Sequence, residues 1–322
     1  MWQELNNTIT NDEMLISATC KRLNGEVEEE SCEGVDETPI KENIIKKNIS
    51  IELGITHEYN VTITFKETNA AQNYNQGKTF GGILGVDEYK PTQFEQDSWS
   101  TIISNVKAGN IAKYNVGDTK TIDMESYGTH TLRISNTSTP SECSTEGFSQ
   151  TACGFVLEFA DIIALNEFNS SRTNKGGWPA SDMYRFINND VYNAMPNILK
   201  NEIIETMVIS SRGSSDTSNF TSNDKLYLLA PKEIFSDWNN DWDESIDTTR
   251  QLDYYKKLNV STINHSESIK KYSGSNNTWW LRNAYSFMYQ DFFFFAIGDD
   301  GRSYEGLTSL ETQGVSPAFR IG

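Results

Sequence analysis

The clearest period in the chain is two. Over 57–65, apolar Tyr59, Val61, Ile63 and Phe65 alternate with polar residues, the mark of a half-buried strand. Stretches 14–20 and 49–53 read as further strands, with Gly54-Ile55-Thr56 turning from the latter into the first, and 81–86 reads as a last one. The acidic stretch 25–39 and the polar stretch 69–78 predict loops. A single sheet would leave one apolar face wet, so residues 1–90 are expected to form a small all-β, sandwich-like domain.

Beyond residue 90 the period lengthens. Ser98 is placed to cap a helix carrying Trp99, Ile102, Ile103 and Val106 and ending at Gly109. Stretches 131–134 and 154–159 predict strands. Ser181 caps a second helix with Met183, Phe186, Ile187, Val191 and Tyr192. Pro196 opens a third, with Ile198, Leu199, Ile203 and Ile204. A buried strand over 225–230, a short helix from Pro231, an acidic loop over 236–243 with Trp238 and Trp242, and a helix over 248–258 follow. Residues 91–322 are therefore expected to be α+β.

The last stretch has ends and a middle of different character. Trp279, Trp280 and Leu281 open it, and Val315, Pro317, Ala318, Phe319 and Ile321 close it, as scaffold expected to be buried. Between them Tyr and Phe are broken by Gly, Asp and Ser, with Asp299-Asp300-Gly301 as a hairpin tip. Tyr285, Phe287, Tyr289, Asp291 and Phe293 share one strand parity, and a face mixing Asp with phenols and rings suits contact better than core. The ligand face is accordingly assigned to Tyr285, Phe287, Tyr289, Asp291, Phe294, Arg302, Tyr304, Glu305, Leu307 and Leu310. So large an exposed ring cluster exceeds what monomers leave bare and calls for a partner. Phe292, Phe293 and Phe295 are instead expected to point inward, since four consecutive Phe on a strand divide between its two faces.

Charge narrows the partners. Forty-five acidic against 27 basic residues, a net −18, exclude nucleic acid and anionic membrane surfaces. No apolar run reaches the length of about 18 residues that a membrane span requires. No leader pattern stands at the start, so any export signal is expected to have been removed. Cys20/Cys32 and Cys143/Cys153 lack the C-x2-C spacing of a zinc site and have no His near them in sequence. Two short-loop disulfides and an oxidising, extracellular setting are the expectation. His57, His130 and His265 are scattered, with no nucleophile elbow and no His-Glu-x-x-His, so no catalytic residue is assigned and the protein is not expected to be an enzyme. Asp237, Asp241, Asp243, Glu244 and Asp247 are not in EF-hand order and read as a solvated acidic loop, so neither metal nor cofactor is expected. Gly176-Gly177 is not followed by the Lys-Ser or Lys-Thr of a phosphate cradle.

GGWPASDMYRFINNDVYNAMPNILK, DKLYLLAPKEIF, YYKKLN, IKKYSGS, WWLR and GVSPAFRIG occur in order, and through them the chain, over roughly 92–322, resembles the bacterial surface domain catalogued as DUF6273. Members resemble the C-type-lectin fold. In the similar variable proteins of diversity-generating retroelements, a WWLR-like start and a G-V-x-P-A-F-like end bracket diversified codons, which would correspond here to residues 283–313. The resemblance implies a C-type-lectin-like domain over 91–322. It also implies a ligand-binding protein displayed on a bacterial cell surface, with a protein or glycan ligand. The alternative is a carbohydrate-binding lectin or carbohydrate-active surface protein. Residues 1–90 resemble adhesin or pilin-associated β-domains, which implies anchoring to a pilus or the cell surface. The proline tripeptides of calcium-dependent lectins are missing, and no cysteine follows Cys153, so neither calcium-mediated sugar binding nor formylglycine-generating oxidation is implied.

Overall fold

The central strand of the N-terminal sheet joins both neighbours along nearly its full length. In the computed structural model, which describes residues 2–25, 27–40, 45–46, 49–85, 90–288 and 291–322, the chain divides into two units, Met1–Lys90 and Pro91–Gly322. The first holds β1 (Trp2–Asn7), β2 (Met14–Asn24), β3 (Val27–Pro39), β4 (Ile55–Phe65) and β5 (Phe80–Leu84). β3-β2-β4 form one antiparallel sheet and β1-β5 a two-stranded ladder. Trp2, Met14, Ile16 and Ile40 bury a small core, with Val61 and Phe80 packed against it, so both ladders contribute.

Two expectations fail here. Stretch 25–39 is largely a strand, because its backbone pairs with β2 from Leu15↔Pro39 to Asn24↔Val27 while Glu28, Glu33, Asp36 and Glu37 stand exposed on the ladder. Ile51 and Leu53 lie in irregular backbone and are exposed, since β2 already has both neighbours.

In the second unit β6 (Thr119–Asp123), β7 (Thr129–Asn136), β8 (Val156–Phe159), β9 (Ala164–Glu167), β10 (Ile203–Ile204), β11 (Thr206–Ser210), β12 (Phe220–Asp224), β13 (Lys270–Tyr272), β14 (Ser275–Asn277), β15 (Trp279–Ala284), β16 (Phe293–Ile297), β17 (Ser303–Thr308), β18 (Thr312–Val315) and β19 (Ala318–Ile321) are interleaved with short helices. Two five-stranded sheets dominate, β10-β19-β8-β7-β6 and β17-β16-β15-β18-β9. β15 and β18 run parallel, and the other pairings in both sheets are antiparallel. The unit is mixed α and β.

Helix Trp99–Lys107 starts where Ser98 Oγ accepts the Thr101 N–H, and it stops at Gly109, whose φ of +72° suits glycine. Ser181 caps the run 182–194 in the same way, with a π-helical stretch over Phe186–Val191. Three expected elements come out shorter. The helix after Pro196 ends at Lys200, and Ile203 and Ile204 pair with β19 instead. Stretch 225–230 makes a single bridge, Tyr227↔Ala318, because the Asn188 side chain takes over the backbone of Lys225 and Leu226. The helix expected over 248–258 is Asp253–Lys257.

Trp279, Trp280, Leu281, Val315, Pro317 and Phe319 are buried as scaffold. The sheet containing β15 and β16 is covered on both faces. Phe294 stacks on Phe168 at 3.6 Å, beside Trp280, while Phe295 meets Trp238 and Tyr285 on the other side. Buried Glu158 is matched by Arg133 at 2.8 Å and Lys270 at 3.0 Å. Burial alone would push its carboxyl up, but the two cations bring it below the usual range. The Cys20/Cys32 and Cys143/Cys153 sulfurs lie at bonding distance, with Cα atoms 4.9 and 6.0 Å apart. Among the described residues no helix is long and apolar enough to cross a membrane.

Candidate ligand-binding face

β15 ends at Ala284, so the chain leaves the sheet before the segment whose parity suggested a face. Its exit and return are tied together. The Tyr285 N–H donates to Phe293 O, and the buried Asn174 side chain donates to both Tyr285 O and Phe293 O at 3.0 Å. Asn174 N–H also donates to Asp291 O. The Ser286 N–H and hydroxyl both donate to Trp242 O, which fastens the start of the connection to the acidic loop. The neck is thereby fixed.

A continuous line of rings runs across the neck. Trp242 meets Phe287 edge-on at 4.7 Å, Phe287 lies 6.2 Å from Tyr285, Tyr285 6.5 Å from Phe293, and Phe293 4.3 Å from Phe292. The Arg172 guanidinium covers Phe292 at 3.6 Å, a cation–π contact. Ser309 closes the far end: its N–H donates to Phe292 O and its hydroxyl to Ser171 O, which brings the exposed Leu310 alongside. Phe287 and Met288 are 37% and 66% exposed, so the apolar material at the tip faces solvent. This is a firmly footed, partly apolar projection with the Arg172 guanidinium at its side.

The expected ligand face does not survive as a whole. Phe287, Asp291 and Leu310 are exposed in or beside the ridge. Tyr285 and Phe294 are corrections: they are 8% and 0% exposed, Phe294 because its side of the sheet is covered by Phe168, and Tyr285 because just past the end of β15 its ring packs against Phe295 and Trp242. Leu307 pairs with Phe294, shares its side of the sheet and is half-buried. Arg302 and Tyr304 are exposed at the other end of the β16–β17 hairpin, where Arg302 faces Asp300 and a Cβ at Gly298 would run into the Tyr304 ring. The length of β16, about 14 Å at ~3.4 Å per residue, separates them from the ridge. Tyr289 lies outside the described residues, and of Glu305 only the backbone, within β17, is described.

Trp242, Met288, Phe292, Arg172 and Asn174 were not assigned to the face from sequence. The two tryptophans of the acidic loop were the one available signal, and nothing local ties Trp242 to Phe287. In the acidic loop three of the five carboxylates named above already have protein partners. Buried Asp243 accepts from Trp238 Nε1, Asn283 Nδ2 and Ser245, Asp237 accepts from Thr262, and Glu244 pairs with Arg212. Burial pushes the Asp243 carboxyl up, against the pull of the Asn283 and Trp238 donors.

The profile of the family described as Domain of unknown function (DUF6273) matches residues 155–322, which includes the ridge, its neck and the scaffold strands. No curated protein and no solved structure matches the chain.

Proposed function

The chain belongs to the DUF6273 family, and from that premise we propose that it is a non-catalytic, ligand-binding protein displayed on a bacterial surface. Its contact face is the ridge from Trp242 through Phe287 and Met288 to Phe292 and Arg172. The observation that carries this reading is the combination of exposure with anchoring. Large apolar side chains stand in solvent on a backbone clamped by Asn174 and Trp242, and rigid apolar anchors bind with little ordering cost. The two disulfide pairs support an oxidising, extracellular setting.

A C-type-lectin-like architecture is part of the proposal. It is supported by the pairing of β18 with β9 and of β19 with β8, which closes a long excursion on itself. We further propose that diversification of the retroelement type, where it operates, is confined to solvent-facing positions such as 287, 288, 291, 302, 304 and 310. Asn283, Ala284 and Phe294 through Ile297 are buried and would not tolerate it.

The test applies the full chain to a glycan array and to an array of extracellular proteins. Phe287→Ala/Met288→Ala is expected to lose the bound ligand while its melting temperature holds. Undiminished binding by that variant, with loss on changing Tyr304, would transfer the face to the hairpin end. A near-repeat of the coding sequence for 283–313 beside a reverse-transcriptase gene is expected if the retroelement reading holds; its absence removes that part alone.

A further inference from the structure

In the N-terminal unit, β2 lies between β3 and β4, so Cys20 has a direct partner on either side, Cys32 and Tyr59. His57 stands two residues from Tyr59 and therefore projects from the same side of β4. The pairing gathers Cys20 Sγ, Cys32 Sγ and a ring nitrogen of His57 within 4.8 Å of one another. Among the described residues this is the one group of three potential metal-ligating side chains brought so close. His57 Nδ1 is shielded from solvent and has no hydrogen-bond partner among the described residues. A shielded imidazole nitrogen without a partner is disfavoured unless something binds it.

We propose that, with the Cys20–Cys32 bond reduced, this cluster is a binding site for a thiophilic divalent cation of the zinc class, so that disulfide and metal are alternative closures of the same three side chains. The chemistry balances with a thiol or phosphine as reductant. Two electrons and two protons convert the disulfide to two thiols: two thiol equivalents supply both and become a disulfide, or one phosphine supplies the electrons while one water supplies the protons and the oxygen of the phosphine oxide. The cation then displaces both thiol protons and forms two metal–sulfur bonds and one to His57 Nδ1. Tetrahedral zinc, with bonds of about 2.3 Å to sulfur and about 2.0 Å to nitrogen, wants its ligand atoms about 3.5–3.8 Å apart. Cα atoms 4.9 Å apart allow the sulfurs to separate that far by side-chain rotation alone. Cys32 and His57 are only half-buried, which leaves a solvent side where water completes the fourth position.

The probe is cobalt(II), added anaerobically to the full chain carrying Cys143→Ser/Cys153→Ser and reduced with a phosphine. One equivalent is expected to give thiolate-to-cobalt charge-transfer bands, displaced by zinc, while the oxidised protein gives none. His57→Gln is expected to weaken cobalt at least about tenfold, the loss typical even of residues that merely support a ligand. Far-UV circular dichroism of Cys20→Ser/Cys32→Ser reports whether the sheet persists without the crosslink. Absence of the bands from reduced protein overturns the proposal, as does a sheet that is lost on reduction and not restored by metal. Equal cobalt affinity and an unchanged spectrum in His57→Gln overturn it as well.

Discussion

Replacing Arg282 by Met tests whether the end of the Trp-Trp-Leu-Arg motif is scaffold. The guanidinium is fully buried and donates to Ile209 O, to Leu228 O and, through both terminal nitrogens, to the Glu233 carboxylate at 2.6 and 2.7 Å. Glu233 is equally buried and, among the described residues, keeps only neutral donors, Ala230 N–H and the Thr151 and Thr249 hydroxyls, once the cation is gone. Stranding a buried carboxylate in this way costs about 3–5 kcal/mol. The two orphaned carbonyls add to that, though not additively. For a unit of this size, at roughly 2–4 °C per kcal/mol, the melting temperature should fall by about 6–20 °C. Near-UV circular dichroism isolates the relevant transition, because of the seven tryptophans only Trp2 lies in the N-terminal unit. Arg282→Lys, which keeps the charge but loses the fork, should fall between. Arg282→Met/Glu233→Met should be less destabilised than the sum of its single variants, since the unpaired charge disappears with its partner. A loss below about 1 kcal/mol in Arg282→Met, or strict additivity in the double variant, would refute the account.

Phe294→Ala should cost about 3–5 kcal/mol in chemical denaturation, whereas Met288→Ala should stay within about 0.5 kcal/mol; similar losses at both would erase the distinction between core and ridge. Burial pushes the Asp224 carboxyl up to about 6, so the folded state favours the protonated form; that contribution is present below the unfolded value of 3.8 and is lost as pH rises through about 6. Stability should therefore decline between about pH 4 and 6 by up to roughly 3 kcal/mol, and Asp224→Asn should flatten the profile; parallel profiles would count against it. Cys143→Ser/Cys153→Ser should destabilise the second unit by about 2–4 kcal/mol, read as a lowered denaturation midpoint, and an unchanged midpoint would contradict the crosslink's role.

Whatever rests on neighbours in sequence was legible. The alternation over 57–65 is β4, Ser98 and Ser181 cap the helices they precede, and Asp299-Asp300-Gly301 turns the β16–β17 hairpin. Caps, turns and strand alternation are satisfied within a few residues, so local chemistry decides them. Burial of Trp279, Trp280 and Phe319 was legible too, because side chains of that size have few alternatives to a core. What needed the tertiary structure was the assignment of faces and partners. Acidic 27–39 became a strand because β2 offered its backbone a ladder, and 225–230 became a single bridge because Asn188 took the backbone of Lys225 and Leu226 while Arg282 took the carbonyls of Leu228 and Leu229. The four phenylalanines 292–295 were expected to divide between two faces, but which face was solvent depended on Phe168, Trp238 and Trp280 packing from elsewhere. The same holds for both candidate sites. Trp242 reaches Phe287, and His57 reaches the Cys20/Cys32 pair, across separations over which sequence spacing carries no geometric information until the sheets set the distance.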